Sequence, residues 1–225
     1  MLLHIPGVLD PAQAERMRQR LEAAQWTDGR ETVGAQGAQV KRNLQLPDAS
    51  PLRAELGAEV QAALAANPLY HAAVLPAKTM PPRFNRYEGG GEYGMHVDGA
   101  AMAFGDGGWL RSDVSCTLFL ADPDSYNGGE LVVSDTYGEH VVKLPAGDLI
   151  VYPSDSLHRV EAVTHGIRYA AFFWVQSLVR DAQRRRLLLE LDGSIQQLTA
   201  SGAERDALLR LTGVYHNLLR QWAET

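Results

Sequence analysis

Two histidines, one aspartate and a distant arginine carry the chemistry written into this 225-residue chain. His96-Val97-Asp98 sets an imidazole and a carboxylate two residues apart. On a strand, that spacing points both to one face, so a single metal ion can take both. The third ligand must come from elsewhere, and His158 is suited to supply it, following the tight turn Pro153-Ser154-Asp155-Ser156. Two imidazoles and one carboxylate leave three positions open on an octahedral ion. That set suits non-haem Fe(II), which must bind a cosubstrate and O2 together. The residues point to an oxygen-activating hydroxylase.

Arg168 sharpens this reading. Thr164-His165-Gly166 reads as a hairpin turn joining the strand of His158 to that of Arg168. A tight turn would pair Arg168 near Ala162, on the order of 13 Å from His158 and on the same face. Val160, Ala162 and Ala170, between them, are small enough to leave space. A five-carbon dicarboxylate fits such a gap: 2-oxoglutarate would meet the iron at one end and Arg168 in a bidentate pair at the other.

The elements that position these residues divide the chain in three. In 1–77, Leu2 to Ile5 reads as a short strand, and Asp10-Pro11 opens a helix over 11–24 with Ala14, Met17 and Leu21 on one stripe. Ser50-Pro51 opens a second helix, which Asn67-Pro68 stops. In 78–178 the period becomes two. Arg83 to Tyr87, Met95 to Asp98, Asp113 to Leu120, Glu130 to Ser134, Glu139 to Leu144, Asp148 to Tyr152, His158 to Val163 and Arg168 to Val175 read as strands separated by turn signals. The expected fold is α+β, with a double-stranded β-helix (jelly-roll) core. In 179–225 the helical period returns, with Arg180 to Leu191 one candidate and Leu208, Leu211, Tyr215, Leu218 and Trp222 marking another. The last helix suits a homodimer. Gly29–Gly37 and Ala100–Gly108 read as loops that decide the substrate, with Trp109 at its mouth.

Composition excludes other classes. No apolar run approaches the roughly 20 residues of a membrane span. The start has no basic region of a signal peptide. A single cysteine, Cys116, fits a reducing cytoplasm and reads as a small core residue. A net charge of -6 argues against a nucleic-acid partner.

Several stretches resemble a known family. Tyr87-x-x-Gly90 followed by Tyr93-Gly94-Met95-His96-Val97-Asp98, the turn Asn127-Gly128-Gly129-Glu130-Leu131, and Ala146 to Pro153 followed by His158-Arg159-Val160 resemble Fe(II)/2-oxoglutarate dioxygenases of the prolyl 4-hydroxylase type. The likeness is closest to bacterial PKHD-type hydroxylases, associated with iron uptake, and extends to Lys41-Arg42-Asn43-Leu44-Gln45-Leu46 and the C-terminal helices. It implies Fe(2+) at His96, Asp98 and His158, 2-oxoglutarate at Arg168 with help from Tyr87, and L-ascorbate as reductant. Collagen-type relatives usually carry lysine where Arg168 stands, so no collagen-like substrate is implied. A small molecule or a protein side chain, hydroxylated with O2, is the expected substrate.

Two other functions use the same residues. An iron- or oxygen-responsive binding protein would keep the ligands without turnover, but needs no cosubstrate anchor such as Arg168. A zinc hydrolase would need a nearby general base, for which Glu92 and Glu161 are the candidates. Tyr87 reads equally well as a core aromatic.

Overall fold

A computed structural model describes residues 1–32, 34–105 and 107–224 of the protein. In chain order the strands are β1 (Leu3–Ile5), β2 (Thr27–Asp28), β3 (Lys41–Arg42), β4 (Leu44–Gln45), β5 (Pro76–Thr79), β6 (Arg83–Tyr87), β7 (Glu92–His96), β8 (Ala101–Phe104), β9 (Gly108–Arg111), β10 (Val114–Phe119), β11 (Leu131–Asp135), β12 (Gly138–Val142), β13 (Leu149–Pro153), β14 (Leu157–Val160) and β15 (Arg168–Ser177). The helices are α1 (Pro11–Glu22), α2 (Ala35–Val40), α3 (Pro51–Ala65), α4 (Pro68–Val74), α5 (Ala182–Ala200) and α6 (Arg205–Trp222).

The fold is α+β with a double-stranded β-helix core. One antiparallel sheet runs β1-β13-β10-β15-β6-β4-β2, with β5 added beside β15, and the other runs β12-β11-β14-β7-β3. Strand β10 lies between β13 and β15, and all six of its residues are buried. Phe84, Leu118, Phe119, Leu149 and Phe173 join Met17, Leu21, Leu56 and Val60 of α1 and α3 in one core. Each such side chain removed from water stabilises the fold by about 1.5–3 kcal/mol, which keeps the site's scaffold stiff.

The amphipathic stripe of α1 is buried as its spacing requires, and Asp10 and Gln13 close a reciprocal capping box at its start. At α3 only half of the expected start signal operates: Pro51 opens the helix, but the Ser50 side chain makes no cap hydrogen bond. Asn67-Pro68 stops α3 and also begins α4, because the Asn67 side chain accepts from Tyr70 N.

Four further expectations are corrected. The stretch 29–37 is not a loop throughout: a 3-10 turn spans Gly29–Thr32, and α2 begins at Ala35. The stretch 100–108 is not a loop throughout either: Ala101–Phe104 is β8, paired with β9, with Ala101 opposite Arg111 and Phe104 opposite Gly108. The strand expected over Met95–Asp98 is β7, which ends at His96, so Asp98 lies beyond it. Most consequential, His158 and Arg168 are not on a shared hairpin. The chain crosses from one sheet to the other between them, its turn docked on Asn127 through Thr164 N to Asn127 O (2.9 Å) and Asn127 N to His165 O (2.9 Å). Arg168 therefore pairs with Tyr87, not with Ala162.

A second crossing closes one side of the core. Lys41 pairs with Tyr93 in one sheet, and Gln45, four residues on, pairs with Asn85 in the other.

Candidate metal centre

His158 on β14 stands directly opposite His96 on β7, in the same register, with ring centroids 4.2 Å apart. Each ring is aimed by its own backbone. His96 Nδ1 lies 2.9 Å from Gly94 O, and His158 Nδ1 lies 3.0 Å from Ser156 O. A carbonyl can only accept, so both Nδ1 atoms carry the hydrogen and both Nε2 atoms keep a free lone pair. Burial, and then the nearby His158, push the pKa of His96 below its ordinary value, so its imidazole is neutral at neutral pH.

Asp98 reaches the same point from beyond the strand end. Its Oδ1 lies 4.0 Å from His96 Nε2 and its Oδ2 lies 3.7 Å from His158 Nε2. One ligand atom from each of the three residues lies within 4.8 Å of the others. Ser115 Oγ donates to Asp98 Oδ2 at 2.6 Å, and Ser154 Oγ lies 2.8 Å from Ser115 Oγ. This pair of hydroxyls fixes the rotation of the carboxylate. Tyr93 stacks on His96 (centroids 3.6 Å, planes 17° apart), and Tyr152 meets His158 edge-on at 5.1 Å. Two imidazoles that turn their Nε2 atoms to one point and one oriented carboxylate form a donor set that fits one divalent cation.

Arg168 lines the same cavity, of about 830 Å³, as the three residues. Its relative exposure is 1%, yet none of its three guanidinium nitrogens has a hydrogen-bond partner among the described residues. Tyr87 and Phe119 lie on it, with ring centroids 5.3 and 5.2 Å from the guanidinium carbon. Two aromatic faces recover on the order of 1–2 kcal/mol each, while an unpaired buried ion costs several kcal/mol. The arrangement is completed by an anion, and a carboxylate meets the planar fork in a bidentate pair.

Tyr87 is 1% exposed and lines the cavity beside Arg168: it is a core aromatic that also faces the site. Arg83 and Asn85 line the cavity with it, as their shared face on β6 requires. Ala162, Ala170 and Trp109 are not part of the lining, and Trp109 is 66% exposed on β9. From the two stretches expected to shape the substrate, Thr32, Gly34 and Gln36 and then Met102 and Ala103 do contribute. Among the described lining residues the only acid is Asp98. Glu92 is paired with Arg42 at 2.7 Å and Glu161 with Arg159 at 2.7 Å, so neither serves as a hydrolase base.

Sequence reasoning passed over Ser115, Tyr93 and Lys41. Ser115 left a weak trace, as a polar residue alternating with apolar ones on β10. Tyr93 was quoted only within a motif.

Residues 82–176 match the 2OG-Fe(II) oxygenase superfamily, and residues 181–224 match the PKHD-type hydroxylase C-terminal domain. A PKHD-type hydroxylase of Stenotrophomonas maltophilia (strain R551-3) is 65% identical over 224 residues, covering 100% of both chains. Solved structures share the fold. A Pseudomonas putida prolyl-4-hydroxylase superposes with a TM-score of 0.51 at 20% identity, over 78% of this chain and 92% of its own. HygX of Streptomyces hygroscopicus, solved with nickel and 2-oxoglutarate bound, does so with a TM-score of 0.53 at 18% identity, over 79% of this chain and 84% of its own.

Proposed function

Because the chain belongs to the PKHD-type hydroxylases of the 2OG-Fe(II) oxygenase superfamily, we propose that His96, Asp98 and His158 hold its iron and that Arg168, with Tyr87, holds its 2-oxoglutarate. The protein is an Fe(II)- and 2-oxoglutarate-dependent dioxygenase, and its reactants are O2 and a substrate to be hydroxylated. Bound iron supplies O2 activation coupled to decarboxylation of 2-oxoglutarate to succinate. The observation that carries the residue assignment is the buried, unpartnered guanidinium of Arg168 in the cavity that also holds the three-residue cluster.

Each residue has a separate task. The Nε2 atoms of His96 and His158 donate lone pairs, held outward by the carbonyls of Gly94 and Ser156. Asp98 adds one negative charge, and Ser115 holds its carboxylate still. Arg168 fixes the far carboxylate of 2-oxoglutarate, so the keto-acid end is presented in one orientation. Phe119 and Tyr87 keep water from the guanidinium. In the same reading L-ascorbate keeps the iron ferrous, the enzyme works in the cytoplasm, and its activity serves iron uptake.

Anaerobic titration with Fe(II) and 2-oxoglutarate tests the assignment, read by the visible charge-transfer band of the chelate. The wild type should develop the band. His96→Ala should not, and Arg168→Ala should need at least tenfold more 2-oxoglutarate. A full band in His96→Ala, or unchanged demand in Arg168→Ala, rejects the assignment.

A further inference from the structure

One wall of the cavity is polar, buried and short of partners. Lys41 is 3% exposed and lines the cavity. Its ammonium donates to Thr32 Oγ1 at 3.0 Å, and no carboxylate pairs with it among the described residues. An ammonium has three donors, so two are left without a hydrogen-bond acceptor among the described residues. Around it, Asn43 Nδ2 and Oδ1, Gln45 Nε2 and Asn85 Oδ1 are buried with no hydrogen-bond partner among the described residues. These residues come from β3, β4, the turn between them and β6, where the chain crosses between the sheets. Buried polar groups left unpaired are costly, so a cluster of them in the wall of an open cavity suits a polar ligand.

The wall is also close to the metal ligands. Lys41 Nζ sits 5.2 Å from the centroid of Tyr93, the ring that stacks on His96 at 3.6 Å. The charges explain what is missing. With the site loaded, the dianionic 2-oxoglutarate and the Asp98 carboxylate balance the ferrous ion and Arg168, while both histidines are neutral. Arg83 has its own partner, Asp48, at 3.0 Å. Lys41 is then the surplus cation of a dry cavity.

We infer that Lys41, with Gln45, Asn43 and Asn85, is the anchor for the hydroxylated substrate, and that this substrate carries a carboxylate next to an amide-like hydrogen-bonding unit. The inference rests on the iron and 2-oxoglutarate assignment above and extends it to the third reactant. The carboxylate takes the two free donors of Lys41. The neighbouring unit meets Gln45 Nε2 as donor and Asn85 Oδ1 as acceptor. One ring away lies His96, a ligand in the iron assignment above, so the carbon to be hydroxylated is close to the anchored end, not at the far end of a long chain.

The test uses anaerobic enzyme loaded with Fe(II) and saturating 2-oxoglutarate, wild type beside Lys41→Met. Normal development of the chelate band in both shows that each still binds iron and 2-oxoglutarate, so a failure of the further inference is separate from a failure of that reading. N-acetylglycine, N-acetylalanine and N-acetylserine are then added, each beside its N-methylamide, and the perturbation of the band gives their affinity. A tetraglycine with a free carboxylate, beside its amidated form, distinguishes a peptide end from a small free acid. The wild type should bind the acids at least tenfold more tightly than the matching amides, and Lys41→Met should lose that preference. Acids that bind the wild type no better than amides overturn the inference, even should Lys41→Met fail to fold. An undiminished preference in a folded Lys41→Met overturns it as well.

Discussion

Lys41 shows how a residue can serve a site at a cost to the fold. Burial first, and then the charge of Arg83, lower its pKa from 10.5 to about 8. The unfolded chain keeps the ordinary value, so between about pH 8 and 10.5 the unfolded state binds more protons than the folded one. Stability therefore rises with pH across that window, and below it the full penalty, up to about 3 kcal/mol, is present. Lys41→Met should accordingly be more stable than the wild type at pH 7, with the gap closing as pH passes from 8 toward 10.5. Chemical denaturation of both proteins at pH 7 and pH 10 reads it directly. A Lys41→Met less stable than wild type at both pH values would mean that packing and the Thr32 hydrogen bond outweigh desolvation. At this scale, the meeting of His96, Asp98, His158 and Arg168 in one cavity was legible in the sequence, because the metal ligands and anion anchor proposed above need particular residue types. Ser115, Tyr93 and Lys41 were not. A serine, a tyrosine and a lysine are common everywhere, and what makes these three special is contact with residues distant in the chain.

At the scale of the element, the turn after Asn127 decides where Arg168 can lie. Gly128 and Gly129 both take positive φ, +76° and +68°. A Cβ on Gly129 would stand 2.9 Å from Arg168 Cδ and 2.8 Å from Val163 Cγ2, and a Cβ on Gly128 only 1.9 Å from Ala162 O. Backbone strain for a non-glycine here is of order 1–3 kcal/mol, and the clash pushes the arginine stem. Gly129→Ala should therefore lower stability by about 1–3 kcal/mol and raise the KM for 2-oxoglutarate several-fold, while Fe(II) affinity measured without cosubstrate changes little. Equal losses of both affinities would place the damage in the fold as a whole. The same region explains the misplaced hairpin. Thr164-His165-Gly166 has the composition of a tight turn and does form a turn, but turn chemistry does not reveal whether the next strand returns to the same sheet. Here backbone pairing with Asn127 and with Gly90 and Gly91 sends it to the other one. The face of Arg168 was nonetheless read correctly, since it points to the cavity from β15 as it would have from a hairpin.

At the scale of the whole molecule, the long strands were legible and the short ones were not. Alternation over six residues, as in β10, is a usable pattern, but β2, β3 and β4 are two residues each and carry no period at all. β3 and β4 form because Lys41 to Gln45 finds the edges of β7 and β6 to pair with, and β2 then pairs with β4, which is a property of the assembled core. What that core presents to metal ions follows from one local detail. Each histidine ring is steered by the carbonyl two residues behind it, so the chain's own backbone sets the directions of both Nε2 atoms. Two imidazoles and a carboxylate so held have little means of choosing among divalent ions of similar size. Intrinsic affinity then follows the general order in which copper and zinc surpass ferrous iron. Occupancy should be governed by supply: apoprotein equilibrated anaerobically with equal Fe(II) and Zn(II) should lose most of its chelate band, and a band of full strength would show selectivity that these three ligands do not provide. On that expectation the enzyme is exposed to capture by the wrong ion, and its activity would depend on which metal is in surplus as well as on how much protein is made.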